Sequence, residues 1–275
     1  MHSIKRNIPN FFTLLNLSCG VFIIITLIEE SGLTPHMAQI FCVLIVLGAI
    51  FDFLDGFFAR LLNVEGGIGK QLDSLADMLT FGIAPAIILA YLCLDSWDSF
   101  QKVHLAPTYI QGGWDLVSYP IPDTFIDILF LIFAIIIPVF CAIRLARFNV
   151  NTKNENHFKG LPTPAFALFI VGLVTIYAQK TSVMIYEPSL IRYHFNLQLF
   201  ILAPLSIILP FLLISNIRLF SFKVRKTEKP FSITNICRLI LILGGLILFL
   251  LFSFGAFAFI IPLYLILSIT NNILE

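Results

Sequence analysis

Asp52-Phe53-Leu54-Asp55-Gly56-Phe57-Phe58-Ala59-Arg60 is followed, eight residues later, by Gly69-Lys70-Gln71-Leu72-Asp73-Ser74-Leu75-Ala76-Asp77. Each segment runs into a long apolar stretch, residues 37–51 before the first and residues 78–94 after the second. Asp52 and Asp55 are three apart and Asp73 and Asp77 four apart, and on α-helices both spacings put the paired carboxylates on one face. The reading is a helical hairpin with two acids on each arm. An acid at membrane depth is costly unless it is paired, hydrated or metal-bound, so this hairpin is where function is to be sought.

The rest of the chain agrees with a membrane setting. Of its 275 residues, 59% are hydrophobic and 12% charged, and the mean hydropathy is +0.96. A soluble domain carries about 25% charged residues, so the fold class expected is an all-α polytopic membrane protein. Spanning helices need roughly 20 apolar residues. Eight spans are predicted, at 9–28, 37–62, 68–94, 124–148, 164–180, 197–219, 236–253 and 255–272. The last two are separated by little more than Phe254-Gly255; if they are not two spans, the count falls to seven or six. The first run follows Lys5 and Arg6, and no small-residue cleavage site precedes Glu29-Glu30, so it is expected to be a retained helix.

With the N-terminus inside, only Lys102, Lys180 and Arg192 of the 17 Lys and Arg residues fall outside. By the positive-inside rule both termini and the acidic hairpin face the cytoplasm. The lipid bilayer is therefore an expected partner and no nucleic acid is expected; the net charge of +1 hides this asymmetry and says nothing by itself. The outer loop, residues 95–123, carries Trp97, Tyr109, Trp114 and Tyr119, which suit an interfacial belt. Pro138 is expected to kink the fourth span. The run Lys223, Arg225, Lys226, Lys229 reads as a topology anchor or a contact for anionic headgroups. Cys19, Cys42, Cys93, Cys141 and Cys237 lie inside spans with no metal-ligand spacing and are expected to pack as small apolar side chains.

The acids sit near the cytoplasmic ends of spans two and three; Arg60 follows Asp55 by five residues, roughly 7.5 Å along a helix. Hard oxygen ligands suit Mg²⁺ or Mn²⁺ rather than Zn²⁺. Four carboxylates are enough for two divalent cations, an arrangement that serves in-line phosphoryl displacement. Gly56 and Ala59 leave room for a bulky ligand or for helix packing, and Arg60 is placed to meet a phosphate. Acids in such places also carry cations or protons in transporters, or pair with bases, here Arg60 and Lys70. Both alternatives stay open on the acids alone.

The spacing as a whole is more specific. Asp52-x-x-Asp55-Gly56-x-x-Ala59-Arg60-x(8)-Gly69-x(3)-Asp73-x(3)-Asp77 has a chance occurrence on the order of 10⁻¹⁰ per start position at average residue usage. It resembles, without a departure, the signature of the CDP-alcohol phosphotransferases. That resemblance implies two divalent metals, Mg²⁺ or Mn²⁺, held by Asp52, Asp55, Asp73 and Asp77, with Asp77 also as general base. It further implies a CDP moiety against Gly56 and Ala59, with Arg60 and Gly69 beside its phosphates, and a six-span core, usually in a homodimer. Residues 1–219 would form that core, and residues 220–275 an added basic loop and two-helix hairpin.

Further stretches are similar to the membrane-embedded phosphatidylserine synthases: Pro9-Asn10-x-x-Thr13-x-x-Asn16-Leu17, Phe81-Gly82-Ile83-Ala84-Pro85-Ala86, Arg144-Leu145-Ala146-Arg147-Phe148-Asn149 and Phe158-Lys159-Gly160-Leu161-Pro162-Thr163-Pro164-Ala165. They imply transfer of a phosphatidyl group from CDP-diacylglycerol to the hydroxyl of L-serine, with CMP released. Asn10, Thr13 and Asn16, at i, i+3 spacing near the cytoplasmic end of the first span, either line the nucleotide pocket or cap and bridge helices. Arg144, Arg147 and Lys159 are candidates for the acceptor carboxylate or a lipid phosphate, beside their role in topology. Other acceptors, such as glycerol 3-phosphate or inositol phosphate, and a cation- or proton-coupled transporter remain the rival expectations.

Overall fold

The computed structural model describes residues 2–29, 34–64, 67–105, 124–150, 158–184, 208, 210–220 and 232–274. Its helices are α1 (His2–Glu29), α2 (Pro35–Leu61), α3 (Gly67–Asp77), α4 (Ala84–Leu105), α5 (Thr124–Val150), α6 (Thr163–Met184), α7 (Ile233–Phe252) and α8 (Phe257–Leu274). Every predicted span except the sixth is found as helix. Most of that span, 197–219, and the basic run at 223–229 lie outside the described residues. The expected outer loop at 95–123 is corrected in its first part, since α4 continues as helix to Leu105; the side chains of 95–105 and all of 106–123 lie outside the described residues. Helices at Asn7–Glu29, Pro35–Leu61, Gly67–Leu94 and Ile233–Leu274 are long and apolar enough to cross a membrane. The chain is an all-α polytopic membrane protein in class.

Two features go beyond the expected pattern. The third span is not uniform: α3 passes through a π-helical stretch, Met78–Ile83, before α4. A short antiparallel ribbon also joins β1 (Phe158–Lys159) to β2 (Arg218–Leu219), with Phe158 opposite Leu219 and Lys159 opposite Arg218. Pro138 lies inside α5, which continues to Val150.

Local chemistry sets the turns. Thr34 caps α2 by accepting from the Met37 backbone N–H at 3.3 Å, and Pro35 opens the helix where no donor is needed. At its other end Asn63 takes φ 52°. Val64 N–H bonds to Ala59 O at 3.1 Å and Asn63 N–H to Arg60 O at 3.3 Å. This is a Schellman closure with Asn in the left-handed position. It stops α2 at Leu61, nearly two turns past Asp55, and sends the chain back as α3.

The main core packs Ile23 of α1, Phe41 and Ile45 of α2, Phe81 of the π turn, Ile88 and Leu92 of α4, Ile137 of α5 and Phe166 and Ile170 of α6. All five cysteines are free and buried, as their apolar settings suggested. The opposite faces are apolar and exposed, for example Phe11, Phe22 and Ile28 on α1 and Leu246, Leu250 and Leu251 on α7. Such faces are compatible with lipid tails, which are as apolar as leucine.

Candidate functional site

The Schellman turn brings the four acids to one place. Ligand oxygens of Asp52, Asp55 and Asp73 all lie within 4.8 Å of one another. The carboxylates of Asp52 and Asp73 come within hydrogen-bonding range of each other. Asp77, one turn further along, is close enough for its charge to interact with Asp52, Asp73 and Asp55. Asp55 and Asp77 are both buried.

Helix α1 supplies the donors. Thr13 Oγ1 donates to Asp55 Oδ2 at 2.7 Å, and Asn16 Nδ2 donates to Asp77 Oδ1 at 3.1 Å. Thr13 and Asn16 are three residues apart, so one face of α1 serves both acids. Phe12 stacks on Phe58 at 5.2 Å and 7°, which locks α1 to α2 beside this level. Asn16 is held in turn from the π turn, where Thr80 Oγ1 donates to Asn16 O at 2.8 Å. The i, i+3 spacing of Asn10, Thr13 and Asn16 marks this face of α1 in the sequence; which acid Asn16 meets depends on how α1 docks.

A cavity of about 410 Å³ opens beside the acids. It is lined by Pro9, Asn10, Thr13, Asp55, Gly56, Ala59, Val64, Gly67, Gly69, Lys70 and Asp73. The candidate residues Asn10, Thr13, Gly56, Ala59 and Gly69 thus share one wall. A side chain added at Gly56 would meet nothing within 4 Å, and one at Gly69 would stand 3.3 Å from Asn10 Oδ1.

Among the described residues, Arg60 and Lys70 bond to backbone carbonyls rather than to the acids. Arg60 folds back on its own helix, Nε donating to Gly56 O at 3.0 Å, and it is absent from the cavity wall. Lys70 Nζ donates to Asn149 O at 2.8 Å. Asn149 Nδ2 donates to Ser74 Oγ at 2.7 Å. These bonds tie α3 to the last turn of α5. Arg147 in that turn is exposed. Arg144 reaches inward instead, with Nη1 donating to Thr163 Oγ1 at 3.4 Å and its charge interacting with Asp77. The backbone of Lys159 lies in β1, and its side chain is outside the described residues.

Buried polar atoms are paired almost everywhere in folded proteins. Among the described residues, five buried side-chain polar atoms have no hydrogen-bond partner: Ser268 Oγ and Asn271 Oδ1 on α8, and Asn16 Oδ1, Asp73 Oδ1 and Arg144 Nε, which belong to the surroundings of Asp77. Unpaired oxygens within a knot of hard carboxylate donors fit a divalent cation of the Mg²⁺ or Mn²⁺ type. An unpaired guanidinium nitrogen beside them fits an anion.

A family model described as CDP-alcohol phosphatidyltransferase matches residues 6–195. The chain is similar to a CDP-diacylglycerol--serine O-phosphatidyltransferase of Helicobacter pylori (strain ATCC 700392 / 26695), 32% identical over 220 residues, covering 78% of this chain and 72% of that protein. It is also similar to one of Saccharomyces cerevisiae, 32% identical over 185 residues, covering 62% of this chain and 55% of that protein. An archaetidylserine synthase of Methanothermobacter thermautotrophicus is 30% identical over 166 residues, 59% of this chain and 55% of that protein.

Proposed function

This chain belongs to the CDP-alcohol phosphatidyltransferase family, and from that premise we propose that it transfers a phosphatidyl group from CDP-diacylglycerol to L-serine. The serine hydroxyl oxygen forms a bond to the lipid-side phosphorus, the bond from that phosphorus to the CMP oxygen breaks, and CMP leaves. Asp77 takes the hydroxyl proton. Its Oδ1 already accepts from Asn16, which leaves Oδ2 to receive it.

Asp52, Asp55, Asp73 and Asp77 would hold two divalent cations, Mg²⁺ or Mn²⁺, which when bound neutralise pyrophosphate charge and stabilise the leaving phosphate. The cavity wall of Asn10, Thr13, Gly56, Ala59 and Gly69 takes the CDP moiety. Lys70, on the same wall, adds a cation near the phosphates. Arg60 reaches them by leaving the Gly56 carbonyl. Arg144 receives the serine carboxylate through its Nε edge, while Arg147 and Lys159 add positive charge on the acceptor side.

The single observation that carries this reading is the knot of Asp52, Asp55 and Asp73 beside the cavity. The names of the relatives support serine as the acceptor. The Lys and Arg distribution supports a site and termini on the cytoplasmic side. A homodimer in the membrane, and a division into a core over 1–219 with an added hairpin over 220–275, complete the proposal.

The test is metal-dependent release of CMP from CDP-diacylglycerol by the purified protein, with and without L-serine. Release that needs both metal and serine is expected. Release supported by glycerol 3-phosphate or inositol phosphate instead would replace the acceptor. No release with any acceptor, together with ion flux in sealed vesicles, would replace the enzyme by a transporter.

A further inference from the structure

The family signature ends before the two added helices, and the site as described uses neither of them. They are nonetheless fixed to the core at both ends. At the tip, an added Cβ on Gly172 of α6 would stand 2.5 Å from Ala258 N of α8, so the two backbones pass in close contact. At the other end, Phe220, directly after β2, is buried against Cys237 and Leu241 of α7. Its ring meets Tyr264 edge-on at 5.0 Å. Tyr264 Oη donates to Phe220 O at 2.9 Å, and Asn272 Nδ2 donates to Arg218 O at 2.6 Å.

Strand β2 passes this support on. It pairs with β1, and Gly160 N–H bonds to Ile217 O at 3.1 Å. Leu161 N–H bonds to Leu212 O at 3.0 Å. Gly160 takes φ +75°, and a Cβ there would stand 2.6 Å from Leu213 O. The chain then enters α6 at Thr163, whose Oγ1 accepts from Arg144.

We propose that the α7–α8 hairpin braces the acceptor side of the site, with Tyr264 and Asn272 acting as positioning residues for Arg144 through β2, β1 and Thr163. This chain of contacts runs through β2, β1 and Thr163 and meets α3 at Arg144, whose charge interacts with Asp77. The inference rests on the assignment of Arg144 to the acceptor. It does not depend on which hydroxyl compound is accepted.

The experiment uses the full-length protein in detergent or nanodiscs, comparing wild type with the double variant Tyr264→Phe, Asn272→Ala. Hydrogen exchange at the Gly160 and Leu161 amides is expected to quicken by about tenfold, while exchange over 67–77 is unchanged. The acceptor KM is expected to rise about three- to tenfold with kcat and the CDP-lipid KM within about twofold. Asn272→Gln, which keeps an amide donor, should retain most of the wild-type behaviour. Unchanged exchange at both amides overturns the brace. Faster exchange with both KM values unchanged, or raised equally, overturns the positioning role and leaves packing alone. If serine is not used, the serine reading fails separately, and the brace is judged on exchange and on the KM of the hydroxyl compound that is used.

Discussion

Asn16 Nδ2 donates to Asp77 Oδ1 at 3.1 Å across 61 positions of sequence. The carbonyl end of the same amide is buried without a partner. The amide therefore acts on the acid as a donor, holding Asp77 Oδ1 and leaving Oδ2 for the proton in the proposed mechanism. A hydrogen bond to a charged group contributes about 1.5–3 kcal/mol. Asn16→Ala should then lower kcat about ten- to hundredfold while leaving the CDP-lipid KM within about twofold. Steady-state CMP release at varied lipid checks the split.

Asp77→Asn keeps the shape and can still pack beside Asn16, but it cannot take a proton. Turnover should fall by a factor of at least about 10², with binding of the CDP-lipid largely retained in an equilibrium assay. Near-normal serine-dependent CMP release by this variant would remove Asp77 from the role of base.

Removal of divalent cations leaves three carboxylates crowded together. Chelation should lower the thermal midpoint, and Mg²⁺ or Mn²⁺ at 100 times its dissociation constant should restore about 2.7 kcal/mol of stability. In Asp52→Asn the restoring effect should be strongly reduced. A melting curve with and without chelator reads this independently of activity.

Arg144→Gln removes the half-buried cation beside Asp77 and Thr163. The acceptor KM should rise by about tenfold or more, since charge-assisted hydrogen bonds are roughly twice as strong as neutral ones. Arg144→Lys should recover only part of this, because the ammonium lacks the planar fork. Arg147, exposed on the same helix end, is the natural control, and Arg147→Gln should change the acceptor KM much less.

Gly20 passes close to the π turn. A Cβ there would stand 2.7 Å from Thr80 Oγ1 and 2.8 Å from Thr80 Cα. Gly20→Ala should cost about 1–3 kcal/mol through overpacking, read as a lower melting temperature. Ser18→Ala, on an exposed side chain bonded within its own helix, should stay within about 0.5 kcal/mol.

The acids and most helices were legible because they contrast with their surroundings. Asp52, Asp55, Asp73 and Asp77 are polar in apolar runs at helical spacing, and a span betrays itself by length. The contacts of Asn16 with Asp77 and of Lys70 with Asn149, 79 positions apart, depend on how helices dock, which no local spacing encodes. The β1–β2 ribbon is two residues long on each side, too short for an alternating pattern. Arg60 shows the opposite limit: its place beside the acids was readable, but its bond to Gly56 O is a choice of rotamer.

The π turn at Met78–Ile83 makes the third span two helices of different phase joined end to end. Such turns hold one residue more than α-helical spacing and recur at functional sites. Because the turn absorbs that residue, Ile88 and Leu92 beyond it still reach the core while Asp73 and Asp77 before it keep their place. A one-residue deletion within Met78–Ile83 should be taken up by closing the turn to α-helical spacing, whereas one elsewhere in the span would swing everything beyond it by about 100°.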